Sequence, residues 1–258
     1  TNMIEEKRNE LFDVYRKWEK ELKGKCPELI NKQYSHPYYL HIPDNWYQST
    51  YRILIVGEEG HGEKKFDLSI EEAQEFNRKY LLSQIDPEQL DKNDRYKRNG
   101  SSFWRRIRSI AQLMKNNGSS YSITWTNLDM IHRSAKNGNC KLKKKDRKAL
   151  HDTDIKILSK EIDILRPTHV VYFGWYGISL EKELPDVFTR LYPNGLGDDS
   201  QWKDEKMAKF RESGIWHIFT YHPSWGYRQK RNDNGKGYED KVLDQISETL
   251  TPGSSDVK

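Results

Sequence analysis

Cysteine is scarce in this sequence of 258 residues, which holds only Cys26 and Cys140. The two lie far apart and neither has a Cys-x-x-Cys neighbour, so the sequence offers no disulfide framework, zinc ribbon or cysteine-bound iron–sulfur cluster. Long apolar runs are also missing, since a dense run such as Ile53–Val56 is far shorter than the roughly 20 residues of a membrane helix. The first residues lead into charges, not into the apolar core of a signal peptide. We therefore expect a cytoplasmic protein with no cofactor and no membrane partner.

Neither sign of charge dominates, because 44 Lys and Arg residues stand against 39 Asp and Glu residues, a net charge of +5. The positive residues are clustered, with the densest group at 141–148 and two more at 98–108 and 228–231. Such clusters suit a polyanionic partner, but a solvated face explains any one of them equally well. The composition permits nucleic-acid binding without requiring it.

Apolar residues are grouped into short segments that predict alternating strands and helices. Dense β-branched segments predict strands buried on both faces, and segments with helical spacing predict helices. The strands are expected at 52–57, 121–127, 168–174 and 215–220, and the helices at 4–22, 70–80, 103–114, 155–165 and 238–250. This order predicts a three-layer α/β/α fold with a central four-stranded parallel sheet. We expect one domain over 1–258, with an N-terminal helix and aromatic loop (1–50) packed on it and a frayed tail (251–258).

The residues that follow the strands are the candidates for a site, because ligands of open parallel sheets bind beyond the carboxyl ends of the strands. The first strand leads into Gly57-Glu58-Glu59-Gly60-His61-Gly62, whose glycine spacing differs from the dinucleotide-binding Gly-x-Gly-x-x-Gly pattern. Glu58 and Glu59 could act as an acid, a base or a stabiliser of positive charge. They could equally be solvated loop carboxylates.

Polar and aromatic residues also follow two later strands. Asn127 offers one acceptor and two donors on a fork that could hydrogen-bond to a base edge, although an asparagine here could also cap a turn. The segment 221–227 contains His222-Pro223-Ser224 and ends in exposed aromatic candidates, with cations directly after it. That set could hold a nucleic-acid backbone and wedge into a base stack.

Together these segments resemble the uracil-DNA glycosylase superfamily over roughly residues 51–247. Ile-Leu-Ile-Val-Gly57-Glu-Glu is similar to the first motif of that family, Thr126-Asn127 to its second-strand motif, 167–174 to its third strand and His222-Pro223-Ser224 to its last motif. The resemblance is strongest to the family 4 branch, without that branch's iron–sulfur cysteines. It implies a uracil-DNA glycosylase-like fold and a monomeric enzyme that flips a damaged base out of single- or double-stranded DNA and hydrolyses its N-glycosidic bond.

The resemblance also implies a role for each matching residue. His222 would donate to the leaving base, and Glu58 or Glu59 would stabilise the oxocarbenium ion and orient water. Base-binding residues would be Gly57, Asn127 and, as the stacking aromatic, Phe66. DNA-binding residues would be Ser224, Trp225, Tyr227, Arg228, Lys143, Lys144 and Lys145.

Three departures from the family pattern keep alternatives open. Gly60 replaces a proline of the first motif, Glu59 is one methylene longer than the usual Asp or Asn, and His61 has no counterpart. The alternatives are a non-catalytic nucleic-acid-binding protein, a hydrolase of nucleosides, nucleotides or RNA, and a metal-dependent hydrolase that uses His61, His222 and Glu58.

Other residues are predicted to be structural. His169 and His217 lie inside predicted strands and are expected to be core histidines, and Trp104, Trp175 and Trp216 are expected to serve packing.

Overall fold

The computed structural model describes residues 3–25, 37–59, 68–131, 157–174, 188–189, 207–224 and 237–250, without the side chains of residues 58, 59 and 129. Its strands are β1 (Tyr51–Glu59), β2 (Tyr121–Asp129), β3 (His169–Phe173), β4 (Met207–Glu212) and β5 (Ile215–Thr220). Its helices are α1 (Met3–Lys25), α2 (Ile70–Ile85), α3 (Ser102–Asn117), α4 (Ile157–Leu165) and α5 (Tyr238–Thr249). The α/β class predicted from the sequence is confirmed.

The sheet has five strands in the order β2-β1-β3-β5-β4. The four predicted strands are parallel to their neighbours, whereas β4 runs antiparallel to β5. The predicted four-stranded parallel sheet is therefore wrong by one strand. A hairpin at Ser213 and Gly214 joins β4 to β5, and both residues have positive φ, at 49° and 81°, as two-residue hairpin turns require.

Helices pack on both faces of the sheet because the side chains of each strand alternate between the faces. Leu54 and Val56 join a cluster with residues of α1 and α4. Ile53 and Ile55 join the opposite cluster, which holds residues of α3 and α5. The buried strands and their helices thus form the core, and the carboxyl ends of β1, β2, β3 and β5 meet at one edge of the sheet.

Local signals fix where two of these helices begin. Ser69 caps α2 in a capping box, in which its Oγ accepts from the Glu72 backbone N–H at 3.2 Å and its own N–H donates to the Glu72 carboxylate at 2.8 Å. Ser101 caps α3 by accepting from the Trp104 N–H, and Gly118 ends that helix with a φ of 76°. Since α3 precedes β2 and is antiparallel to it, its N-terminus lies at the carboxyl edge of the sheet.

The segment 37–46 runs along the open side of β2. The Tyr38 N–H donates to the carbonyl of Met130 at 2.8 Å, and the Thr124 hydroxyl donates to the His41 carbonyl at 2.8 Å. The Asn45 amide donates to the Tyr121 carbonyl at 3.3 Å. One border of the sheet is therefore covered by the chain itself.

The predicted core residues are confirmed where the structure describes them. His169 and His217 are buried, and their rings hydrogen-bond to Thr249 and Tyr172. Trp104 is buried against Tyr80 and Trp125. Trp216 is only half-buried and lies under the Arg211 guanidinium, and Trp175 lies outside the described residues.

The helices that the structure describes include none with the length and apolarity needed to cross a membrane.

Candidate functional site

The carboxyl edge of the sheet brings together residues from four parts of the chain. Gly57 near the end of β1 pairs in register with Asn127 near the end of β2. His222 follows β5, and Phe103 comes from the first turn of α3. The structure thus places predicted site residues together at the edge where ligands of parallel sheets bind.

Gly57 leaves room for the Asn127 side chain. A Cβ atom at position 57 would lie 2.5 Å from Asn127 Oδ1 and 3.3 Å from Phe103 Cε2. Any other residue would therefore displace the amide, the ring or the strand. Glycine at this position is a requirement of packing, since its backbone lies in a regular strand.

Asn127 is only 4% exposed, and its Oδ1 occupies the space above Gly57. A side-chain amide offers one acceptor and two donors on a fork. A ligand edge with a complementary donor and acceptor could pair with it at this edge of the sheet.

Phe103 contributes an aromatic ring at this edge. Its ring lies parallel to the His222 imidazole, with 6.4 Å between centroids and 18° between planes, and meets Phe173 edge to face at 5.6 Å. The helical spacing over 103–114 predicts only a helix there, and the resemblance assigns stacking to Phe66, which lies outside the described residues. The capped start of α3 was the available signal, because a helix that precedes a strand begins at the carboxyl edge.

The hydrogen bonds of His222 define its tautomer. Its Nδ1 accepts the Ser224 backbone N–H at 3.2 Å and lies 2.8 Å from the Ser224 hydroxyl. A backbone N–H can only donate, so Nδ1 carries the lone pair and the proton of the neutral ring is on Nε2. His222 can therefore act as a neutral N–H donor through Nε2.

A link to α5 holds this segment in place. The Tyr221 N–H donates to the Tyr238 hydroxyl at 2.8 Å. Next to Tyr238, Glu239 forms an ion pair at 3.4 Å with Arg106 of α3, which is 2% exposed. Burial lowers the pKa of Arg106, and the Glu239 carboxylate opposes that shift. Arg106 is thus a buried connection between α3 and α5 and not part of the basic surface.

Apart from Ser224, the other predicted site residues lie outside the described structure, either entirely or in their side chains. The backbones of Glu58 and Glu59 end β1, and Glu59 pairs with Asp129 in register, but both side chains lie outside the described part of the structure. The remaining predicted residues outside it are His61, Phe66, Lys143, Lys144, Lys145, Trp225, Tyr227 and Arg228. Among the residues described, no group of three His, Cys, Asp or Glu side chains could hold a metal ion.

This arrangement suits a flat, polar ring. Phe103 offers an aromatic surface, Asn127 offers a donor and an acceptor, and His222 offers a neutral N–H donor. A nucleobase presents the matching features on its face and its edge.

Neither a protein-family model nor a curated protein matches this chain, so no family is assigned to it.

Proposed function

We propose that this protein is a DNA glycosylase-like hydrolase that cleaves the N-glycosidic bond of a flipped, damaged base such as uracil. The observation that supports it is the convergence of Asn127, Phe103 and His222 at the carboxyl edge of the sheet. The proposal also draws on the resemblance of the motifs around Gly57, Asn127 and His222 to a glycosylase family.

Base recognition in this proposal uses the Asn127 amide and the Phe103 ring. The amide can accept from a ring N–H of a pyrimidine and donate to the adjacent carbonyl. Stacking of the base on Phe103 contributes about 1–3 kcal/mol without regard to sequence. Unstacking the base from the DNA costs free energy, and these contacts offset that cost.

The bond cleavage develops negative charge on the leaving base and positive charge on the sugar. His222 Nε2–H would donate to the base oxygen that gains charge, and it does so from a fixed ring, so little reorganisation is needed in the transition state. The carboxylate of Glu58 or Glu59 would stabilise the sugar cation and hold the attacking water. Because the side chains of Glu58 and Glu59 are not described, their roles stay predictions from the sequence.

The test is excision from labelled oligonucleotides that carry uracil, hypoxanthine or xanthine, in single- and double-stranded form. We expect the native protein to cleave at least one substrate. The excision rate should fall about 100-fold or more in Asn127→Ala, His222→Ala and Glu59→Gln, as expected when an electrostatic contact in the transition state is removed. Asn116→Ala is the matched control, since Asn116 is exposed near the far end of α3. Full activity in His222→Ala would refute the assigned mechanism.

A protein that binds these oligonucleotides but excises no base would be a nucleic-acid-binding protein on the same scaffold. The departures at Glu59 and Gly60 make this the second candidate. Excision by the native protein separates the two, and Glu59→Gln, which should leave binding unchanged, shows whether that excision depends on the carboxylate.

A further inference from the structure

The basic cluster at 98–108 has a buried part and an exposed part. Arg106 is buried between α3 and α5. Arg105 is exposed and Arg108 half-buried, one helical turn apart on the other side of the helix. Lys97 and Arg98 are exposed on the preceding segment, and Tyr96 beside them is 38% exposed.

The segment that carries Lys97 and Arg98 is fixed by hydrogen bonds to α2. Gln84, which is 3% exposed, donates to the Lys97 carbonyl at 3.2 Å and accepts from the Asn99 N–H at 2.7 Å. Its Oε1 also accepts from Arg108 at 3.4 Å. Gln84 of α2 thus links this segment to α3 and brings Arg98 and Arg108 to the same surface.

Two carboxylates close to Tyr96 in the chain or in the fold are already paired with cations of α2. Asp94 is paired with Lys79 at 2.8 Å, and Glu75 is paired with Arg78 at 2.7 Å. Arg98 has no carboxylate partner among the described residues. The pKa of Arg108 is lowered, first by burial and then by the charges of Arg98 and Arg105, which places three guanidinium groups within electrostatic reach of one another.

We infer that Lys97, Arg98, Arg105 and Arg108, together with Tyr96, form a contact surface for the phosphodiester backbone of a nucleic-acid strand. Guanidinium groups bind phosphate through two parallel N–H donors, and an exposed tyrosine beside them provides a face for stacking. The same helix carries Phe103 into the candidate site, so a strand held here would run past that site. The choice of nucleic acid as the partner rests on the proposed function.

The test compares two double variants that lose the same charge. Arg98→Gln/Arg105→Gln removes two exposed cations of the surface and leaves Arg108 bound to Gln84. Arg16→Gln/Lys20→Gln removes two exposed cations of α1, on the opposite face of the sheet. Binding of a labelled, undamaged single-stranded oligonucleotide is measured by fluorescence anisotropy from 0.05 to 0.3 M salt, after thermal unfolding has shown that each variant is folded.

We expect Arg98→Gln/Arg105→Gln to weaken binding about tenfold or more at 0.1 M salt. It should also reduce the slope of log K against log salt by about 1.4, since each lost phosphate contact on a single strand contributes ~0.7. The α1 variant should keep the native affinity and slope. Equal losses in both variants would show a response to net charge only, and no loss in the first would exclude this surface; either result overturns the inference.

The excision assay tests the proposed hydrolase separately from the binding surface. Salt-dependent binding that needs Arg98 and Arg105, without excision of any base, would refute the proposed hydrolase and leave this surface supported. Excision with native kinetics in Arg98→Gln/Arg105→Gln would support the hydrolase and refute the surface.

Discussion

Gly57→Ala tests how the candidate site is built. A Cβ at this position would lie 2.5 Å from Asn127 Oδ1, and separations below 3.4 Å are already unusually tight. Restoring ordinary contact therefore moves the Asn127 amide by about 1 Å, a misplacement that costs a positioned group about 100-fold in rate. Overpacking of the buried edge should also lower the free energy of unfolding by ~1–3 kcal/mol.

The assay combines urea denaturation with base excision. Gly24→Ala is the matched control, because nothing lies within 4 Å of its Cβ position on α1 and alanine is favoured over glycine in helices by up to ~1 kcal/mol. We expect Gly24→Ala to keep its activity and to be as stable as the native protein or slightly more so.

A double-mutant cycle identifies the cause of the effect. In an Asn127→Ala background the clash with Oδ1 is gone, so Gly57→Ala should then cost at least ~1 kcal/mol less than in the native protein. An equal cost in both backgrounds would show that the amide does not occupy the space above Gly57. Native stability and activity in Gly57→Ala alone would refute the packing argument altogether.

Three further predictions concern the ring of Phe103, the hydrogen bonds to His222 and two buried histidines. Phe103→Leu keeps apolar volume but removes the flat ring, so affinity for an oligonucleotide with a damaged base should fall about tenfold with little change in melting temperature; unchanged affinity in a titration would exclude stacking on this ring. Ser224→Ala removes one contact to Nδ1 and keeps the backbone N–H, so kcat should fall only about fivefold, and a loss as large as that of His222→Ala would contradict the role of the backbone donor. Burial lowers the pKa of both His169 and His217 to about 4, below the ~6.5 of an unfolded chain, so the unfolded state binds protons first on acidification. The free energy of unfolding should therefore fall between pH 6.5 and about 4, by up to ~3 kcal/mol per histidine, and a flat profile in urea denaturation would refute this.

The strands that the sequence predicts are those buried on both faces. A run such as Ile53–Val56 is unambiguous because every position is apolar. β4 was missed because it is an edge strand: only Met207 and Ala208 are buried, and the following residues are polar or half-exposed. Its pairing depends on the hairpin with β5 and not on its own apolar pattern.

The candidate site was predictable where strand order fixes position. Gly57, Asn127 and His222 follow strands, so the shared carboxyl edge brings them together. Phe103 was not predicted because the capped start of α3 indicates only that this helix begins at the carboxyl edge, whereas the position of the ring there depends on packing between distant segments. The paired role of Gly57 and Asn127 likewise follows from strand register, which the sequence alone does not give.

The two borders of the sheet limit the ways in which this protein can meet a partner. Beside β2, the segment 37–46 already bonds to both ends of the strand, because the Tyr38 N–H donates to the Met130 carbonyl and the Asn45 side-chain amide donates to the Tyr121 carbonyl. On the other side, β4 carries Lys209, Arg211 and Glu212, and charges on an edge strand disfavour pairing with another strand. Recognition by strand addition is therefore disfavoured at both borders. Within the described part of the chain, the side chains at the carboxyl edge and on the outer side of α3 remain accessible to a partner.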